Sequence, residues 1–325
     1  MNALEVRRTS SVTVNDDQEL ARLGKKQVLE RRFGFWSLFG FAVCELITWE
    51  TVLAMFDQGL ENGGSGGLVY GFLIAWFSTL SMYTVIAELS SMAPIAAGQY
   101  YWAYIMAPEQ HRVFVSYIVG WMASMAWIAT VATECMFAGT MLQGMLILDY
   151  PDYISKRWHD TLLTWGVVLV TVFINVIVPA AMPRIEIGTV AFHIAGFFVV
   201  LGVLWAYTTP IHSADFVFAS SLNEGGWASQ GISYCVGFMG NVATFVGADA
   251  SVHMAEEVSN AGSTIPKVIT GSVFLNGVVG FVMMITLVFC LGDPDKVLDT
   301  ETGFPFIQVF YGNIPTPIIC CESRN

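Results

Sequence analysis

The residues able to do chemistry in this 325-residue chain are a few acids embedded in apolar sequence. Glu45 and Glu50 fall in the first apolar segment, Glu88 late in the second, Glu134 in the third and Asp249 in the sixth. An ionised side chain at membrane depth costs about 2.5–3.5 kcal/mol on insertion scales, so each is a candidate for binding a ligand or a proton. Thr48 and Trp49 precede Glu50 directly. A hydroxyl, an indole and a carboxylate together suit a small cationic or zwitterionic ligand, through hydrogen bonding, cation–π contact and charge. The same residues also read as packing by Trp49, with Glu50 capping a helix or pairing structurally. Glu45 and Glu50, five apart, point about 140° away from one another on an unbroken helix. Both can face one cavity only if that helix is interrupted.

The sixth apolar segment carries Gly231, Gly237, Gly240 and Gly247. Such glycines allow close helix approach, and Gly247 permits a break. Unwound backbone at this depth is tolerated where it is buried in protein or lines a cavity. Half-helix ends there present N–H and C=O groups to a substrate. Past Gly247, Asp249 and His253 are four apart, with Glu256 and Glu257 three and four further on. On one helix these would share a face able to relay a proton or gate a mouth. The alternative is a structural acid at a helix end, with both glutamates in water. His193, alone in its apolar segment, reads as a satisfied core histidine. The chain has no Gly-rich phosphate loop before a Lys and no metal-spaced Cys/His set. Its Gly63-Gly-Ser-Gly-Gly67 run matches Gly-x-Ser-x-Gly but falls in a glycine-rich turn over 61–67 between two apolar segments, not at the strand-to-helix turn that such an elbow needs. Enzyme chemistry, a cofactor, a metal and nucleic-acid binding are therefore not expected.

The elements that must position these residues follow from composition. The chain is 55% hydrophobic and 12% charged, with mean hydropathy +0.60. Soluble domains carry roughly 25% charged residues, so an all-α integral membrane protein in a lipid bilayer is expected. A crossing helix needs about 20 apolar residues. Seven segments qualify, at about 35–56, 68–92, 113–148, 161–180, 188–208, 231–255 and 268–292. They make a transmembrane domain over 33–292. Residues 1–32 read as a disordered cytosolic tail, with a short amphipathic helix near 20–29 as the lesser reading, and 293–325 as an extracellular loop and tail. Ten Lys and Arg residues, from Arg7 to Lys267, fall on the side of the N-terminus, and between the spans only Lys156, Arg157 and Lys296 fall on the other, with Arg324 in the tail. That bias predicts a cytoplasmic N-terminus. It argues against a seven-helix receptor, as does the absence of any Asn-x-Ser/Thr sequon.

Several blocks resemble one family. Glu88 to Pro94 (Glu-Leu-Ser-Ser-Met-Ala-Pro), then Ala97-Gly98-Gln99-Tyr100-Tyr101-Trp102, resemble the junction after the second helix of amino acid–polyamine–organocation permeases. Leu222-Asn-Glu-Gly-Gly-Trp227, Gly240-Asn241, Gly247-Ala-Asp249, His253-Met-Ala-Glu-Glu257 and Thr48-Trp49-Glu50 are similar to its fungal amino acid/choline/GABA branch. The resemblance runs from about Arg32 to about Tyr311. It implies a LeuT-type inverted-repeat fold with the first and sixth helices broken around the substrate. It also implies secondary active uptake of amino acids, GABA, choline or related small amines, with protons as symported partner, at the plasma membrane. Carried over by position, Thr48, Trp49 and Glu50 lie at the first break, and Phe245, Val246, Gly247 and Ala248 at the sixth. Asp249, with Glu50, is implied in proton coupling, and His253, Glu256 and Glu134 stand as gate candidates.

Three features depart from the family pattern. No Gly or Pro lies between Gly40 and Gly59, so nothing local predicts the first break. Glu134 stands where the branch has a small or apolar residue. The family has about twelve spans against the seven read here, and the resemblance stops near Tyr311. The expectation is a truncated permease whose residues from about Gly312 come from a retained intron, frameshift or misplaced stop. A non-transporting product, or a regulatory partner of a full-length permease, is the alternative.

Overall fold

Backbone N–H and C=O groups in hydrocarbon must be paired within their own segment, so long apolar runs fold as helices. In the computed structural model, which describes residues 16–18, 20–150, 152–178, 181–300 and 302–314, they do so, and the fold is all-α. In chain order the helices are α1 (Phe35–Leu46), α2 (Thr48–Met92), α3 (Gln99–Met106), α4 (Arg112–Asp149), α5 (Arg157–Val172), α6 (Met182–Tyr207), α7 (Ala214–Ala219), α8 (Gln230–Ala243), α9 (Ala250–His253), α10 (Ala261–Phe289), α11 (Pro294–Leu298) and α12 (Pro305–Asn313). A π-helical turn, Phe173–Ile177, extends α5.

Five stretches among the described residues are long and apolar enough to cross a membrane: Phe35–Met92, Arg112–Asp149, Arg157–Ile177, Arg184–Tyr207 and Ala261–Phe289. The difference from seven has two causes. The first stretch holds both of the first two expected spans, joined at Gly64, where the backbone turns to φ 66° and ψ −176°. The sixth expected span is broken into α8 and α9, each too short to count. The glycine-rich stretch 61–67 between those two expected spans is thus reduced to one non-helical glycine. A Cβ at Gly64 would lie 2.7 Å from Ser221 Cα and 2.8 Å from Leu222 N. Only glycine fits both that φ and that approach.

The first helix breaks where no Gly or Pro announces it. Ile47, between α1 and α2, has φ 35°. A β-branched residue at positive φ is a strained outlier held by its surroundings.

The chain forms two compact units. The first comprises 16–46, Trp76–Trp127 and Phe245–Gly277. In it α9 packs on α1, Asn276 Nδ2 donates to Val43 O at 3.3 Å, and Phe39 fills the space over Gly271. Residues 1–15 of the expected tail lie outside the described residues. From Asp16 onward the segment is held in place. Phe33 bridges Val258, with Arg32 N donating to Glu257 O and Ser259 N to Phe33 O. Arg31 Nη1 donates to Val258 O at 3.0 Å and lies 3.5 Å from Asp16 Oδ2, which accepts from Asn260 N at 2.8 Å. Leu20 packs on Ile95 and Ala97. Charge in the sequence suggests a solvated arm, whereas the structure buries both partners of one ion pair.

The second unit comprises Ile47–Ala75, Ile128–Thr244 and 278–314. Its centre is the crossing of α2 and α8. Cβ atoms at Gly240 and Gly237 would lie 3.0 Å from Met55 O and 3.3 Å from Gly59 Cα. Ser233 Oγ donates to Asn62 O, Asn241 Nδ2 to Leu68 O, and Trp227 Nε1 to Asn62 Oδ1 at 2.7 Å. These small and polar residues knit helices that have no water to pair with. The expected tail from about Gly312 is described only to Ile314; α12 continues to Asn313, whose Nδ2 donates to Cys290 O at 2.8 Å.

Candidate functional site

Within the second unit, α2 begins just past the strained Ile47, so its first residues present a fresh helix start. Thr48 is fully buried and its Oγ1 donates to Thr244 O at 2.9 Å, tying that start to the end of α8. Trp49 is also buried. Its ring lies 5.9 Å from the His193 ring and 6.0 Å from Phe197, over Gly196, where a Cβ would come within 3.3 Å of the indole. Glu50 Oε1 receives a hydrogen bond from His193 Nδ1 at 2.7 Å. Trp49 Nε1 and Glu50 Oε2 are buried and have no hydrogen-bond partner among the described residues. Buried polar atoms are rarely left so, because desolvation without a partner costs about 1–3 kcal/mol each. An unpaired donor and an unpaired acceptor on consecutive residues suit a ligand carrying both an acceptor and a donor.

Residues 244–249 are unwound between α8 and α9, and those from Phe245 onward belong to the first unit. Gly247 has φ 120°, and a Cβ there would lie 2.9 Å from Glu45 O at the end of α1. Phe245 and Ala248 are buried, while Val246 is half exposed. Tyr83 OH reaches Phe245 O at 3.4 Å. Asp249 Oδ2 accepts from Gln99 Nε2 at 2.7 Å. The loop before α3 therefore covers the break, and Gly98, at φ 51°, lets it approach Val252 and His253.

The shared acidic face expected from Asp249 to Glu257 does not form. α9 ends at His253, and Ala255–Glu257 tighten into a 3₁₀ turn, which changes the angular spacing. His253 Nδ1 donates to Ala96 O at 2.9 Å, with Nε2 buried and unpaired among the described residues. Trp127 packs edge-on at 6.2 Å. Glu256 lies 3.7 Å from Lys25 Nζ. Glu134 is exposed on α4 and makes no hydrogen bond or ion pair among the described residues. A cavity of ≈ 510 Å³ in the second unit, lined by Asp57, Gln143 and Asp160 among others, includes none of the expected site residues.

Three partners of the candidate site residues escape sequence reading. His193 is a satisfied core residue as expected, but what satisfies it is Glu50, 143 positions away. Gln99 and Tyr83 likewise meet the second break only through the fold. The one sequence signal available is a lone polar residue in an apolar helix, as His193 is in α6; the structure buries it to 8% exposure while its neighbour Phe192 is 82% exposed.

Comparison with known proteins identifies the family. The family model described as amino acid permease matches residues 33–320, beyond the point near Tyr311 where the resemblance was expected to stop. The chain is 30% identical over 283 residues to a choline transporter of Saccharomyces cerevisiae, covering 87% of this chain and 50% of that protein. It is 29% identical to the GABA-specific permease of the same yeast, over 93% of this chain and 54% of the relative. Against amino-acid permease 2 of Neurospora crassa it is 26% identical, over 94% and 57%. The chain thus spans about half the length of these relatives. A match over nearly all of its membrane region places the chain in the amino acid permease family.

Proposed function

We propose that this protein binds and moves small amine-bearing solutes (amino acids, GABA or a choline-like amine) across a membrane by proton-coupled secondary active transport. The observation carrying the reading is the buried, unpaired pair formed by Trp49 Nε1 and Glu50 Oε2, just past a helix break in an apolar fold. In this reading Thr48 holds the helix start, and Trp49 and Glu50 contact the solute. The unwound residues Phe245, Val246, Gly247 and Ala248 offer main-chain groups to a ligand, as broken helices do in transporters. Asp249 handles the proton, its carboxylate held ready by Gln99. His253, Glu256 and Glu134 act as gates. Lys and Arg bias supports a cytoplasmic N-terminus, and the plasma membrane is the proposed location.

The test is uptake of radiolabelled alanine, GABA and choline into proteoliposomes holding the purified chain, with and without an imposed pH gradient. Accumulation driven by an inward proton gradient supports the proposal. Saturable binding without gradient-driven accumulation removes the coupled-transport part, and absence of both removes the whole reading.

A further inference from the structure

Glu50 does not stand as a bare carboxylate. His193 reaches it from α6, on the one face of that helix turned inward; its neighbour Phe192 faces outward. With Glu50 ionised, the imidazole donates from Nδ1 to Oε1 across 2.7 Å, a short charge-assisted contact. Only Oε2 is left, buried and unpaired. The Trp49 ring, the other element that could hold a cation, is already flanked by His193 and Phe197 at 5.9 and 6.0 Å.

Building on the reading above, we propose that His193 is a specificity-determining positioning residue, which occupies one Glu50 oxygen and leaves the other as a single acceptor for an N–H-bearing ammonium. A quaternary ammonium has no N–H to give to that acceptor. A primary ammonium satisfies Oε2, and an acceptor on the same solute satisfies the Trp49 indole N–H. Among amine-bearing solutes the site therefore favours a hydrogen-bearing ammonium that also carries an acceptor over a quaternary ammonium.

Equilibrium binding of radiolabelled GABA, alanine and choline to the purified chain in nanodiscs tests this. His193→Asn places a donor near the Nδ1 position, whereas His193→Gln places it about one bond further out and His193→Leu removes it. The expected order has Asn within about 3-fold of the unaltered chain, and Gln and Leu weaker by about 10- to 100-fold, the range of one hydrogen bond to a charged group. GABA or alanine should compete out choline, not the reverse. Asn and Gln behaving alike would reduce His193 to packing and overturn the positioning role, and this comparison stands even if the Leu variant fails to fold. Choline binding more tightly than both zwitterions would overturn that preference. No saturable binding of any probe by the unaltered chain would instead overturn the underlying function, a result separate from the other two.

Discussion

Replacing Gly247 with alanine asks whether the sixth segment is truly unwound. At φ 120° an L-residue is strained, by about 1–2 kcal/mol. The added Cβ would also stand 2.9 Å from Glu45 O, a backbone atom that cannot swing aside, and overpacking of this kind costs about 1–3 kcal/mol. Together these predict a loss of about 2–5 kcal/mol, reduced by up to about 1 kcal/mol because alanine restricts the unfolded chain. At roughly 2 °C per kcal/mol for a chain of this size, the midpoint should fall by about 2–10 °C. Heating the detergent-solubilised protein and measuring the surviving monodisperse peak reads this directly. Gly202→Ala is the internal control: it lies inside α6 with nothing within 4 Å of the added methyl. There, alanine should be neutral or stabilising by about 0.5–1 kcal/mol. An unbroken helix at residue 247 would reverse the sign, so a Gly247→Ala protein as stable as Gly202→Ala would refute the reasoning.

Two further outcomes follow from the first unit. Arg31 and Asp16 are both buried, so Arg31→Ala leaves a buried carboxylate with one partner fewer, at a cost of about 3–5 kcal/mol. Limited proteolysis should then cut within 20–32 much faster, while Arg32→Ala, whose partner Glu30 is exposed, should leave the digestion pattern unchanged. Asp249→Asn keeps an oxygen for Gln99 but removes the charge, and should lower proton-driven uptake by about tenfold or more, with membrane insertion and gradient-independent binding retained. Undiminished, equally pH-dependent uptake would remove Asp249 from the coupling.

Much of the fold is legible in the sequence because its strongest signal is global. A chain with half the usual charge has to be membrane-embedded helices, and Gly247 beside Asp249 marks the second break by local chemistry. The first break is illegible for the opposite reason. Ile47 is a poor residue for positive φ, and its conformation is imposed by tertiary packing rather than by propensity. The loop over 61–67 illustrates the same limit: glycine-rich sequence predicts a turn, but its extent depends on how closely Ser221 and Leu222 approach Gly64. The N-terminal segment reads as solvated because charge content is counted residue by residue. Its docking depends on a buried ion pair and on main-chain bonds to Glu257 and Val258, which only the fold supplies. His193 shows why site residues are the least legible. A satisfied histidine can be read from one helix, whereas the identity of its partner requires two.

The central claim is that the start of α2 holds a solute ammonium through Glu50. Its most direct test is saturable binding of radiolabelled GABA, alanine and choline to the purified chain and to its Glu50→Gln variant, with both proteins shown to elute as the same monodisperse species. The account predicts saturable binding by the unaltered chain, and about 10- to 100-fold weaker binding once the carboxylate is gone. Equal affinity in the two proteins would contradict it.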